Sequence, residues 1–165
     1  MKRQFSGLCL SLVLAMTSLP ALAANIQMTA GESVGSVKLG AADSVLKKNP
    51  FGLPLSKSGK DTEYEGQTVY YYFYGKPDAN NSYPLQVYSD VKGKVFIFEV
   101  NSPQFVLPSG LKIGSSEADL LKAYGNKLKK QKRGSIYIKY SLGDRKGTDF
   151  YVKNQKITQI LIRSY

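Results

Sequence analysis

Five cations stand within seven residues, Lys127, Lys129, Lys130, Lys132 and Arg133, just ahead of a segment that holds Tyr137 and Tyr140. Basic side chains at that density attract phosphate or carboxylate groups, with an affinity that falls steeply as salt rises. A solvated loop is the bland alternative. Farther upstream, Tyr70, Tyr72 and Tyr74 alternate with Val69, Tyr71 and Phe73, so the two sets point to opposite faces of one strand. Only one set can pack into a core. The other leaves rings at a surface, where tyrosine offers a large contact area with a polar tip, as at protein interfaces. Ordinary cross-strand packing of tyrosines is the competing account. The expected binding residues are Tyr70, Tyr72, Tyr74, Lys127, Lys129, Lys130, Lys132, Arg133 and Tyr137.

Catalysis finds little material. Asp61, Glu63 and Glu65 beside Tyr64 could in principle serve as acid and base in glycoside cleavage, but alternate positions of an extended loop more often point into solvent. The chain has no histidine and a single cysteine, Cys9, near its start. Those counts leave no histidine-dependent triad and no histidine or thiolate metal site, and no run has the spacing of a calcium loop. No glycine-rich phosphate loop appears either. A non-enzymatic protein without cofactor or metal is the expectation.

Charge is distributed unevenly. From Ala24 to Gly110 there are 8 Lys plus Arg against 8 Asp plus Glu, whereas from Leu111 to Tyr165 there are 13 against 4. An asymmetry of this kind suggests one face directed at an anionic partner, although net charge also keeps small domains from self-associating. Lys2 and Arg3, an apolar run from Leu8 to Met16, Leu19-Pro20 and Ala21-Leu22-Ala23 have the layout of a secretory signal peptide, cleaved after Ala23. Export to the periplasm or the exterior is therefore expected, with no transmembrane segment in the mature chain, because no later stretch approaches 18 apolar residues. In such a compartment an acidic protein, lipopolysaccharide or anionic lipid is a more natural partner than nucleic acid.

The elements that must position these residues follow a pattern the chain uses twice. Val37 to Lys48 and Leu111 to Lys122 align at an offset of 74 residues, pairing Lys38 with Lys112, Gly40 with Gly114, Asp43 with Glu117 and Leu46 with Leu120. Each copy predicts a short strand, a glycine turn and a brief helix. Ala41 to Asn49 has helical spacing and stops at Pro50. In the second copy Ser116 can cap a helix over Glu117 to Tyr124 that Gly125 terminates. Strands are predicted at Thr68 to Tyr74, Leu85 to Val91 and Lys94 to Val100, and again at Ser135 to Leu142, Asp149 to Val152 and Lys156 to Ser164. Lys92-Gly93 and Asn154-Gln155 take the turns. The division expected is a signal peptide at 1–23, a leader at 24–33, a repeat unit at 34–102, a linker at 103–110 and a second unit at 111–165.

A strand ending in Lys38-Leu39-Gly40 or Lys112-Ile113-Gly114, then a short helix closed by glycine and a meander, resembles the repeat of the β-lactamase inhibitor protein-like fold. It is also similar to the small SmpA/OmlA-type lipoproteins of outer-membrane assembly. The resemblance implies a module that binds another protein and transfers no individual functional residue. The expected fold class is α+β: two copies of a short helix on a three-stranded antiparallel meander, joined in one sheet with the helices on one face. Three functions are expected, in order: binding or inhibiting another protein through the tyrosine-bearing face; electrostatic association with lipopolysaccharide, anionic lipid or polysaccharide; and carboxylate-dependent hydrolysis.

Overall fold

The computed structural model describes residues 25–64, 66–134 and 136–164. The proposed signal peptide and Glu65 lie outside the described residues. Among the described residues, besides short 3-10 turns, there are twelve strands and one α-helix: β1 Ile26–Thr29, β2 Ser33–Val34, β3 Val37–Lys38, β4 Leu55–Tyr64, β5 Gln67–Tyr74, β6 Leu85–Ser89, β7 Val95–Val100, β8 Phe105–Val106, α1 Glu117–Tyr124, β9 Leu128–Arg133, β10 Tyr137–Leu142, β11 Lys146–Lys153 and β12 Lys156–Ser164. Eight of them form one antiparallel sheet in the order β4-β5-β6-β7-β12-β11-β10-β9, and β3-β2-β1-β8 form a smaller sheet.

This overturns the α+β expectation. The molecule is dominated by strands, and a single α-helix cannot supply a helical layer. Where a first helix was expected, Asp43–Lys48 is a 3-10 turn, because β-branched Val45 and the following Asn49-Pro50 leave too few good formers to propagate an α-helix. Each half of the large sheet also has four strands, not three. The additional strands, β4 and β9, are the two edges, and their sequences are largely polar on both faces, with Lys57 and Lys60 in β4 and Lys129, Lys130 and Lys132 in β9. Charged edges of this kind resist pairing with other chains. They also lack the apolar alternation by which a strand is recognised.

One face of the large sheet holds the core. Tyr72, Tyr74, Leu85, Val87, Val95, Phe98, Val100, Tyr140, Phe150, Ile160 and Ile162 pack there against Met28, Val34 and Val37 of the small sheet, with Leu46, Phe105, Leu107 and Leu120. The segments expected as leader and linker thus close the core: β1 lies parallel to β8, pairing Ile26 with Phe105. A fully buried side chain of the Val, Leu or Phe type contributes about 1.5–3 kcal/mol, so this layer is a major source of stability. The α-helix sits where its termini predict. Ser116 and Asp119 form a capping box and Gly125 ends the helix, and Tyr140 Oη donates a hydrogen bond to Glu117 Oε1, holding the first turn against the sheet.

Asp149 ties the second half together from the other face. It is 2% exposed, and Arg163 donates to both its oxygens, from Nε at 2.8 Å and Nη2 at 3.1 Å, with Lys139 Nζ 3.6 Å away. Burial alone would raise its pKa, but the hydrogen bonds from Arg163 and Ser141 and the charges of Arg163 and Lys139 more than offset that and bring it below the ordinary carboxylate value. A lowered folded pKa stabilises above the unfolded value, and that stability is lost as pH falls through the folded value. Asp149→Ala is expected to cost about 3–5 kcal/mol at neutral pH, since it strands two buried cations. It should also flatten the acid limb of the stability curve, as read by denaturant unfolding at several pH values.

Candidate functional site

Register assigns every side chain of the large sheet to one of two faces. Tyr72 pairs with Val87 and Tyr74 with Leu85, all on the core face. Tyr72 Oη donates to Asp43 Oδ2 at 3.0 Å and Tyr74 Oη to the Leu46 carbonyl at 2.7 Å, so both rings dock the 3-10 turn. Burial and the Asp43 hydrogen bond push the Tyr72 phenol up to about 12. At 6% and 0% exposure, neither ring can serve as the contact surface expected of it. Tyr70 is half-buried on the same side, in an edge recess with Lys47, Lys60 and Ser58.

The opposite face carries the other phase. There Val69, Tyr88 and Ile97 are buried and Tyr64, Tyr71, Phe73, Phe96 and Leu161 are half-buried in a small apolar cluster. Its rings touch in series: Tyr64 to Tyr88 at 4.9 Å, Tyr88 to Phe73 at 5.9 Å, and Phe73 to Tyr71 and Tyr83 at 4.9 and 5.1 Å. Gly59, paired with Tyr71, explains part of this order. The Tyr71 ring lies across it, and a Cβ there would collide with the phenol, so an edge glycine is covered by an aromatic ring. No second layer of the described residues covers this cluster as the small sheet covers the core.

Beyond the seam of β7 and β12, the same face becomes polar. An open groove of about 640 Å³ is lined by Asp78, Asn80, Ser82, Asn101, Arg133, Tyr137, Tyr151, Thr158 and Gln159. Four strands supply its floor in sequence, since Arg133 on β9 pairs with Tyr137 on β10 and Tyr151 on β11 pairs with Gln159 on β12. The loop between β5 and β6 supplies its wall. Asp78 Oδ1 accepts from the amides of Asn80 and Ser82, both at 2.9 Å, which sets the shape of that loop.

At the groove's inner end Glu99 organises the amides. Its Oε1 accepts from Gln86 Nε2 at 3.0 Å, Gln159 Nε2 at 2.8 Å and Asn101 Nδ2 at 3.3 Å, and Asn101 Nδ2 also donates to the Tyr83 carbonyl. Loss of water around the carboxylate raises its pKa, and the hydrogen bonds from Asn101 and Gln159 only partly counter this.

The basic cluster is divided between faces. Arg133 and Lys129 share the groove side of β9, while Lys130 and Lys132 point the other way, and Lys127 precedes the strand in a 3-10 turn. Lys129 is 2.5 Å from Asp144 Oδ1 and Lys130 is 3.7 Å from Glu117 Oε1. Of the nine expected residues, the groove brings together only Arg133 and Tyr137. Tyr71, Phe73, Tyr88, Tyr151, Gln159 and Glu99 are not among the expected residues. The available signals were Glu99 interrupting the apolar run from Val95 to Val100 and the Asp78-to-Ser82 loop, rich in turn formers. The acidic patch assembles no acid and base pair among the described residues: Asp61 Oδ1 instead accepts from the Glu63 amide at 2.9 Å, at the end of β4.

A raised carboxylate pKa means that the folded chain holds this proton more tightly than the unfolded one. Stability therefore falls as pH rises from the unfolded value, about 4.3, through the higher folded one. Glu99→Gln keeps an oxygen acceptor for the same amides. We expect it to remove that slope and to raise stability at neutral pH, measured by unfolding across the acidic range; a variant that kept the slope would place the titration on another group.

No protein-family model and no curated protein sequence matches the chain. Among solved structures, it is similar to the uncharacterized protein YfeY from Escherichia coli, with a TM-score of 0.55 and 17% identity over 84% of this chain and 99% of that one. It is also similar to an extracellular protein containing an SCP domain from Bacillus anthracis strain Ames, with a TM-score of 0.53 and 17% identity over 76% of this chain and 44% of that one. At such identities the likeness is one of fold, and the fold is what this chain shares with both.

Proposed function

We propose that the protein is an exported, non-enzymatic binding module whose working surface is the open face of the eight-stranded sheet, and that its partner is an anionic component of the periplasm or the exterior. One observation carries this reading: a sheet face with its own ring cluster runs without a covering layer into a groove flanked by Arg133. Aromatic area next to a polar, cationic rim is the composition of contact surfaces. Export rests on the basic, apolar and small-residue order of residues 1–23. No helix among the described residues is long and apolar enough to cross a membrane. Electrostatic spreading on a flat anionic surface is less well supported, because the β9 cations alternate between faces and two of them are paired with acids.

The test compares faces. Immobilised protein should retain anionic material from an envelope extract, and Tyr71→Ala combined with Arg133→Gln should reduce that retention at least tenfold with folding intact by circular dichroism. Lys132→Gln, on the opposite side of β9, should leave it unchanged. Equal retention by all three proteins would overturn the reading.

A further inference from the structure

We propose that the groove between the Asp78-to-Ser82 loop and the floor strands β9 to β12 binds a saccharide bearing a single carboxylate per bound residue, of the uronic acid class. This rests on the reading of the open face as the binding surface and names its ligand. Four features of the groove converge on that chemistry.

The first is size and shape. About 640 Å³ falls within the range of pockets that enclose small ligands, and the groove is open, as a chain that continues past its bound residue requires. The second is ring surface. Tyr137, 39% exposed, and half-buried Tyr151 offer flat apolar area with hydroxyl tips, against which the C–H face of a pyranose can lie. Lys153 Nζ stands 5.4 Å from the centre of the Tyr137 ring and covers one side of it.

The third feature is a set of polar atoms fixed in place before any ligand arrives. Glu99 and Asn101 engage the Gln159 amide nitrogen at 2.8 and 3.2 Å, which orients its oxygen as an acceptor. Asp78 spends Oδ1 on the loop amides and keeps Oδ2. Amide and carboxylate acceptors beside the Ser82 and Thr158 hydroxyls suit a ligand dense in hydroxyl groups, and groups held in advance lose little freedom on binding.

Charge is the fourth and the most selective. Among the described residues Arg133 makes no ion pair, and the one carboxylate lining the groove is Asp78. A guanidinium can take a carboxylate through two parallel hydrogen bonds. With Lys153 Nζ over the Tyr137 ring, two cations face one anion in the wall, and the surplus of one positive charge suits a single carboxylate and is too little for a polyphosphate or a run of acidic residues. An extended acidic peptide would in addition seek unpaired backbone at a sheet edge, and the groove lies on the face.

The experiment titrates the mature chain with tetragalacturonate, with the neutral tetrasaccharide maltotetraose and with tetraglutamate, following backbone amide shifts by NMR. Tetragalacturonate is expected to saturate shifts confined to residues 78–82, 101, 133, 137, 151 and 158–159, and to bind at least tenfold more tightly than either control. Arg133→Ala should bring it down to the level of the neutral sugar, and Tyr137→Ala should weaken both sugars. Lys132→Ala should change neither. Absence of saturable shifts, equal or tighter binding of tetraglutamate, or unchanged affinity in Arg133→Ala would overturn the proposal. Should face-specific retention of envelope material persist alongside such a result, only the ligand assignment fails; should retention also be face-independent, the binding reading fails with it.

Discussion

The pairing of β7 with β12 fixes everything on the open face. Val100, Glu99, Phe98 and Ile97 oppose Ile160, Leu161, Ile162 and Arg163, so core residues meet core residues while Glu99 and Leu161, and Ile97 and Arg163, meet on the other side. A slip of one residue would place Arg163 under the small sheet and expose Ile162, because side chains alternate strictly along a strand. Both strands are apolar enough to be central, and each brings an already closed meander with it. The seam therefore sets the position of the ring cluster relative to the groove, though the two come from distant parts of the chain.

Legibility in the sequence follows how local the signal is. The interior strands and the α-helix could be read, since alternation and capping are written in adjacent residues. Gly40 and Gly114, found by self-similarity, do the same work in both halves. Gly40 N–H donates to the Val95 carbonyl and Gly114 N–H to the Ile157 carbonyl, and each adopts a φ near +90° that favours glycine. These contacts hook the chain onto the first residues of β7 and β12. The edge strands were illegible for a physical reason: a strand meant to discourage neighbours is charged on both faces and resembles a loop. The short strand β8 falls inside the expected linker, and β1 inside a segment that reads equally as a loose leader or an edge strand, because two-residue pairings owe their existence to what they cover.

The phase of β5 was the consequential error. Both triplets of that strand are apolar and rich in aromatic rings, and nothing local decides whether Tyr70, Tyr72 and Tyr74 or Val69, Tyr71 and Phe73 face the core. The deciding contacts are distant: Asp43 and the Leu46 carbonyl accept the hydroxyls of Tyr72 and Tyr74, which turns polar tips into anchors for a short 3-10 turn. Tyrosine in a core position is thus explained by the partner its hydroxyl finds. The same logic leaves Tyr71, whose ring covers Gly59 and lies within 5.6 Å of Lys57 Nζ, on the open side.

Two carboxylates on that side are held in opposite electrostatic states. Asp149 is neutralised by cations and hydrogen bonds that lower its pKa; Glu99 is held by neutral amides, which cannot fully replace the water it has lost, and its pKa rises. The difference follows from position. Asp149 opposes Leu161 on β12, with Arg163 and Lys139 close enough to reach it, whereas Glu99 lies across the seam where only Gln86, Asn101 and Gln159 can. Arg163 also spends Nη1 on the Asp144 carbonyl, and Asp144 holds Lys129, so several cations of the basic half are committed to its own framework. Arg133 is left at the groove without an ion pair among the described residues, in a lining that also holds Asn101 and Gln159, two of the amides fixed by Glu99. A face built this way sets Arg133 and Lys153 at the groove and its fixed acceptors in the same lining.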